Sequence, residues 1–353
     1  MALTRHEIDT ILSNIEVPGG DLVSAGMVRE VEIEGGTVRV AIVCPAALAA
    51  KAAELKANAE RALLGAPDVE TADVTVRVMP PPQQVQGVAA PQDDSWDSRI
   101  RGVRHVVPVA SGKGGVGKST VAANLALALA RKGRKVGLLD ADIYGPSQQL
   151  MMASGEQPMA NAQGKLRPVE GPGGVRMMSL GLIIPADQPV IWRGPLLMKA
   201  MEQLVGDVLW GELDELVVDL PPGTGDVVIT LCQKLELAGA VIVTTPQDVA
   251  LIDARKALHM FQKMNEPVLG IVENMAGFTC PKCGHTEPIF GEGGGRRTAE
   301  ALGIPFLGSV PIDPAIVVGG DTGQPVVEAR PDSPAAKAFL GVAEKVALAL
   351  DAG

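Results

Sequence analysis

The run Ser111-Gly112-Lys113-Gly114-Gly115-Val116-Gly117-Lys118-Ser119-Thr120 constrains this chain more than any other stretch. From Gly112 to Ser119 it satisfies G-x-x-x-x-G-K-[ST], the pattern that cradles phosphate. Its glycines let the backbone curl until several N–H groups point at one anion. Lys118 adds positive charge, and Ser119 offers a hydroxyl to Mg²⁺. The flanks supply the context the pattern needs. His105 to Ala110 reads as a short buried strand, and Val121 to Arg131 as an apolar helix stopped by Gly133. Strand, glycine loop and helix predict a nucleotide site over Gly112–Thr120 rather than a glycine-rich surface loop.

A second lysine, Lys113, stands too early to act as the usual loop lysine. The G-K-G-G-V-G-K-[ST] form resembles the loop of the MinD/ParA/nitrogenase-iron-protein class of ATPases. That resemblance implies that Lys113 reaches the nucleotide of a partner subunit. By residue type alone, Lys113 could equally be a solvated lysine adding positive potential.

Composition excludes several classes. The chain has 353 residues, 46% hydrophobic and 20% charged, so packed cores are expected. Net charge is −10 and aromatic content 3%, which argues against nucleic-acid binding through basic surface or stacked bases. No apolar run reaches the length of a membrane span, roughly 18 residues. The N-terminal residues lack the apolar segment of a signal peptide. A cytoplasmic protein without membrane or nucleic-acid partners is the expectation. The four cysteines are then ligands, reactive thiols or core residues rather than disulfides.

A polar, Pro-containing stretch from Met79-Pro80-Pro81-Pro82 to about Ser98 reads as a linker. The expected organisation is a small α+β domain over 1–79, a linker over 80–104 and an ATPase domain over 105–353. In the small domain, Ile8, Ile11, Leu12 and Ile15 recur at helical spacing. Met27 to Ile33 and Thr37 to Val43 alternate about Gly35-Gly36, a hairpin signature. Ala46 to Leu64 is helical, and Val74 to Val78 alternates again. This α-β-β-α-β order resembles the domain fused in front of many iron–sulfur carrier ATPases. Here Cys44-Pro45 follows the second strand directly, where relatives often carry a longer Thr/Pro-containing loop. Cys44 is read as a buried structural cysteine.

The rest alternates strands and helices. Val106–Ala110, Lys135–Leu139, Leu216–Leu220, Ala240–Thr244, Leu269–Glu273 and Phe306–Val310 are short runs without alternation, as strands of a mainly parallel sheet covered on both faces would be. The predicted fold is an α/β P-loop NTPase, its ligand at the C-terminal strand edges.

Three further segments reach that edge. Asp140 and Asp142 stand at i and i+2 after Leu138-Leu139, a spacing that can turn both carboxylates to one cavity. The class resemblance implies a switch here, with Asp142 orienting water and Asp140 serving Mg²⁺ or its waters; a turn aspartate is the other reading. Asp219 ends the strand before Pro221-Pro222-Gly223-Thr224-Gly225 and suits an outer-sphere Mg²⁺ contact, with Gly223 sensing a γ-phosphate. The D-x-P-P-G pattern resembles the switch II of the class. Asn274 resembles its adenine-contacting asparagine, and Val310-Pro311-Ile312-Asp313-Pro314 the segment whose backbone flanks the base. Absence of the GTPase [NT]-K-x-D motif points the same way, to ATP. Asn274 could otherwise be a turn residue.

Cys280-Pro281-Lys282-Cys283-Gly284-His285 is a C-x-x-C in a turn-rich stretch. Two thiolates at this spacing can grip one metal or cluster, and a tetrahedral zinc or a [4Fe–4S] cubane takes four ligands. Two chains related by a two-fold axis would supply them. A zinc-ribbon half and a redox dithiol remain alternatives. His285 is read as outside the ligand set and Cys232 as core.

Taken together, S-G-K-G-G-V-G-K-S-T, D-L-P-P-G-T-G-D, Thr244 to Leu251 (T-T-P-Q-D-V-A-L) and E-N-M…C-P-K-C-G-H…I-F-G-E-G-G-G resemble the Mrp/ApbC family of iron–sulfur cluster carrier ATPases from about Val106 onward. The family implies Mg²⁺-dependent ATP hydrolysis and a homodimer that shares a [4Fe–4S] cluster between two Cys280/Cys283 pairs. It also implies delivery of the cluster to apo iron–sulfur proteins. A MinD/ParA-type positioning ATPase with a structural zinc or no metal is the competing reading. It leaves the C-x-x-C without a use, and Ala335 to Leu350, with only Lys337 and Lys345, is a poor membrane-binding helix. An electron donor like the nitrogenase iron protein is a third; its cysteines are not a C-x-x-C.

Overall fold

The computed structural model describes residues 5–17, 20–23, 25, 27–34, 36–44, 46–66, 68–78, 100–152, 156–184, 194–280 and 282–352. The chain divides into two compact units, Met1–Val88 and Ala89–Gly353. Most of the expected linker, together with Gly35, Pro45 and Pro281, lies outside the described residues.

Apart from an added short antiparallel ladder of Glu16–Val17 with Gly20–Asp21, the small unit follows the expected order: α1 (Arg5–Leu12), β1 (Val28–Glu34), β2 (Thr37–Cys44), α2 (Ala52–Leu64) and β3 (Thr71–Val78). β1 and β2 form an antiparallel hairpin with Val31 opposite Val40, and β3 runs parallel to β2 with Val74 opposite Val40. Alternation along β2 buries Val38, Val40, Ile42 and Cys44 against Ile8, Leu12, Leu55, Ala59 and Leu63. Cys44 is core, as expected. The helix expected from Ala46 begins as a 3₁₀ turn over Ala46–Lys51.

The large unit starts earlier than expected. Ile100 is buried, and β4 spans Val103–Ser111. There follow α3 (Lys118–Arg131), β5 (Val136–Asp140), β6 (Val169–Glu170), β7 (Arg176–Ser179), α4 (Gly194–Gly206), β8 (Leu213–Asp219), α5 (Asp226–Lys234), β9 (Ala240–Thr244), α6 (Asp248–Lys263) and β10 (Val268–Glu273). The chain continues through a short ladder, β11 (Phe278–Thr279) with β12 (Thr286–Glu287). It ends with α7 (Gly294–Leu302), β13 (Phe306–Ser309), α8 (Pro314–Asp321) and α9 (Pro334–Ala352).

Among the described residues, eight strands form one sheet in the order β13-β10-β9-β4-β8-β5-β7-β6. All neighbours are parallel except the edge strand β6. Successive side chains of a strand face opposite ways, so β4 sends Val107 and Val109 into one core and Val106 and Ala110 into another. The first core packs against α3 and α9, the second against α4, α5, α6 and α7. Burial on both faces is why these strands read as continuous apolar runs. Phe339, Val342, Val346 and Leu350 of α9 are buried in the first core, so its apolar face is already used. Among the described residues, no helix is long and apolar enough to cross a membrane.

Candidate functional site

The phosphate loop leaves β4 at Ser111 and enters α3 at Lys118. Each tight point has a cause. A Cβ at Gly112 would collide with the Asp253 carbonyl of α6, so the loop lies directly on that helix. Gly115 and Gly117 both take φ +80°, a conformation costly for residues with a Cβ. The Ser111 hydroxyl donates to the Lys113 carbonyl at 2.9 Å, and the Gly223 N–H donates to the Ser111 carbonyl at 2.9 Å. Thus the loop and the D-x-P-P-G turn are fastened to one another. A cavity of about 210 Å³ opens here, bounded by loop residues together with Asp142 and Pro222. The N-terminus of α3, whose first N–H groups lack helical partners, is also at this loop, an arrangement suited to an anion.

Lys118 is 6% exposed and Asp219 fully buried, and the two form an ion pair. The ammonium also lies 3.3 Å from the Ser119 hydroxyl. Gln148, which belongs to no motif, completes the arrangement. It is fully buried, and its Nε2 donates to Asp219 Oδ2 at 2.8 Å and to the Ser119 carbonyl at 3.0 Å.

Asp140 and Asp142 part company. β5 ends at Asp140, and the chain turns, so strand alternation does not carry on to Asp142. Asp140 faces inward. It accepts from the backbone N–H groups of Ser147 (2.9 Å) and Gln148 (3.0 Å) and from the Ser179 hydroxyl (3.0 Å), bracing the 142–148 segment. Burial, then the nearby Asp219 charge, pushes its carboxyl up to about 7. Asp142 lines the cavity, with its carboxylate 4.0 Å from Lys118 Nζ. Burial raises its pKa, and the Lys118 charge opposes the rise.

Asn274 follows β10 and is 5% exposed. Its Nδ2 donates to the Val116 carbonyl at 2.9 Å, and a Cβ at Gly117 would collide with that nitrogen. The amide is therefore oriented, and among the described residues nothing donates to its Oδ1. The 310–314 segment runs alongside: Ala276 N–H donates to the Val310 carbonyl and Ile312 N–H to the Gly277 carbonyl. Asp313 caps α8, accepting from the Ala315 N–H at 2.8 Å, and Pro311 lies between these backbone contacts.

The C-x-x-C is carried on the turn between β11 and β12. Cys280 N–H donates to the His285 carbonyl, and Gly284 N–H donates to the Cys280 carbonyl, each at 2.9 Å. Cys283 is exposed and Cys280 half-buried. The backbone N–H groups of Cys283 and Lys282, then the Cys283 thiol, lower the Cys280 pKa. His285 bonds to Glu287 at 3.1 Å. Among the described residues, no group of three or more His, Cys, Asp or Glu side chains could hold a metal ion. Cys232 is buried within the second core, and burial pushes its thiol up to about 12. Glu273, unforeseen in the sequence, caps the start of α7. Its buried carboxylate accepts from the N–H groups of Gly293 and Gly295.

The sequence model of the NUBPL iron-transfer P-loop NTPases matches residues 102–347. The chain belongs to this family. Residues 5–76 match a second family, described as an iron-sulfur cluster assembly protein. A relative named as an iron-sulfur cluster carrier protein, from Deinococcus radiodurans, is 45% identical over 93% of this chain and 89% of its own. Among solved structures, a nucleotide-binding protein from Archaeoglobus fulgidus in complex with ADP is 38% identical. It superposes with a TM-score of 0.59, covering 69% of this chain and 94% of its own. MinD from Pyrococcus horikoshii, complexed with Mg-ADP, is 25% identical with a TM-score of 0.50, over 69% of this chain and 96% of its own. The NUBPL-type chain thus shares its P-loop fold with MinD, and its higher identity is with a carrier.

Proposed function

We propose that this chain is an ATP-hydrolysing carrier that holds a [4Fe–4S] cluster between two copies of itself and passes it to apo iron–sulfur proteins. The observation that carries this reading is a pair of thiols on a hairpin, Cys283 exposed and Cys280 half-buried, without a third metal-binding side chain among the described residues, in a fold that also holds a phosphate loop. A cubane takes four thiolates, so one pair per chain matches a two-chain site. The lowered Cys280 pKa favours the thiolate that binds iron. A cluster gripped by two thiolates from each chain leaves more readily than one caged by four from a single chain.

Within the nucleotide site, the N–H groups of Gly112–Thr120 and the Lys118 ammonium hold the phosphates. Gly223 senses the terminal phosphate from the D-x-P-P-G turn. Ser119 and Asp219 supply the hydroxyl and carboxylate oxygens that suit a hard cation. In this structure the Lys118 ammonium bridges those two oxygens, as a cation would. Mg²⁺, when bound, neutralises phosphate charge. Asp140 serves it indirectly, through the 142–148 segment it braces. Asp142, facing the cavity, orients the attacking water, and Lys113 reaches the partner's nucleotide. Because Asn274 Nδ2 is committed to Val116, its Oδ1 is presented to the base as an acceptor. That matches the 6-amino group of adenine and opposes the 6-oxo group of guanine. Pro311 and Asp313 flank the base.

An assay of cluster transfer tests the reading. Reconstituted protein should restore activity to an apo [4Fe–4S] enzyme, and the Cys283→Ala chain should not, while still binding ATP. Equal transfer by both chains would contradict it.

A further inference from the structure

We propose that Glu273 and Asn274 are positioning residues that tie the cysteine hairpin to the phosphate loop, so that nucleotide occupancy sets how firmly the hairpin is held. The inference rests on the nucleotide-binding reading above and adds a physical route between the two sites.

The two residues are consecutive at the end of β10 and hold opposite things. Asn274 gives its Nδ2 to the Val116 carbonyl of the phosphate loop at 2.9 Å. Glu273 accepts from the N–H groups of Gly293 and Gly295, where the chain returns from the hairpin into α7. The segment carrying Cys280 and Cys283 is therefore pinned at its entry by a residue bound to the loop. At its exit it is pinned by that residue's neighbour.

The connection is short and stiff. Met275, Ala276 and Gly277 separate Asn274 from β11. Ala276 and Gly277 are both bonded to the 310–312 segment, and Phe278 bridges to Ile312. Met275 has φ +58°, a left-handed conformation that residues with a side chain rarely adopt. Such conformations persist only where the surroundings hold them, and they concentrate at switch regions. Beyond β11 the hairpin is exposed from Lys282 to Phe290, so its position depends on these anchors.

A nucleotide that engages the loop and Asn274 Oδ1 fixes the Asn274 amide, and with it the entry to the hairpin. Coupling of this kind is reciprocal: whatever factor nucleotide contributes to cluster affinity, the cluster returns to nucleotide affinity.

Hydrogen–deuterium exchange on the full-length, metal-free chain, with and without Mg-ADP, tests the inference whatever metal the cysteines hold. ADP should slow exchange across 112–120 and, by about fivefold or more, across 278–295. In Glu273→Gln one carboxylate oxygen becomes an NH₂ that cannot accept, so one of the two glycine N–H groups loses its partner. There, protection of 112–120 should remain and the ADP effect on 278–295 should vanish. Should that chain not fold, Glu273→Asp, of the same charge but too short to reach both N–H groups, gives the same reading. Protection of 112–120 without any change at 278–295 in the unsubstituted chain would overturn the inference and leave the carrier reading standing. So would full coupling in a folded Glu273 variant. Failure of ADP to protect 112–120 would instead remove the nucleotide-binding reading, and this inference with it.

Discussion

Lys118 Nζ, in the phosphate loop, is paired with the buried carboxylate of Asp219 at the end of β8, 101 positions away. The proposed function gives one residue to phosphate and the other to the cation that accompanies it, and in this structure each satisfies the other. Removing one partner of a buried pair strands a charge, at a cost of about 3–5 kcal/mol. Nucleotide-free Lys118→Ala should therefore lose ATP hydrolysis and also melt lower, by roughly 10 °C. Adding Asp219→Asn should recover much of the melting temperature and none of the activity. Calorimetry and phosphate release measure both; a Lys118→Ala chain that melts with the original would contradict the pairing.

Gly117 admits the Asn274 amide because it has no Cβ, and its φ of +80° disfavours any other residue. Gly117→Ala should weaken ATP binding by about tenfold or more, since a strained loop residue costs on the order of 1–3 kcal/mol. Titration calorimetry with ATP gives the number, and unchanged affinity would count against the loop geometry.

Lys113 and Asp142 are expected to meet across two chains. Mixed dimers of Lys113→Ala with Asp142→Ala contain one site carrying both lesions and one carrying neither. Verified heterodimers should hydrolyse ATP at about half the original rate, although each homodimer is inactive. Inactive heterodimers would exclude action in trans.

Thiol reactivity should split the four cysteines in pairs. The Cys280 pKa is lowered by N–H groups aimed at its sulfur, which favours its thiolate, and Cys283 is exposed to reagent. Cys232 is pushed up to about 12 and, like Cys44, is buried. Iodoacetamide at neutral pH should label Cys280 and Cys283 in the folded, metal-free chain, and Cys44 and Cys232 only after unfolding. Peptide mass mapping reads this directly; early labelling of Cys232 would be the contrary result.

Legibility followed chemistry. The phosphate loop, the Asp219 turn and the C-x-x-C are local patterns whose residue types have few other uses, and the buried strands announce themselves by β-branched runs. β7 was missed because Arg176-Met177-Met178-Ser179 is short and contains no β-branched residue. Gln148 and Glu273 act through partners distant in sequence, Ser119 and Asp219 for one and Gly293 and Gly295 for the other. No spacing rule finds such pairs. The expectation that Asp140 and Asp142 face one cavity applied strand alternation past the point where β5 ends. Asn274 was recognisable by its place after a strand, but its grip on Val116 was visible only in three dimensions.

The central claim is a cluster shared between two chains, and iron counting on sized protein tests it most directly. After anaerobic reconstitution with iron and sulfide, the dimer fraction should carry about four irons and four sulfides per two chains. Cys280→Ala and Cys283→Ala should each abolish the bound iron, and Cys44→Ala and Cys232→Ala should retain it. A full cluster on a monomer, or iron retained after both Cys280 and Cys283 are replaced, would contradict the account.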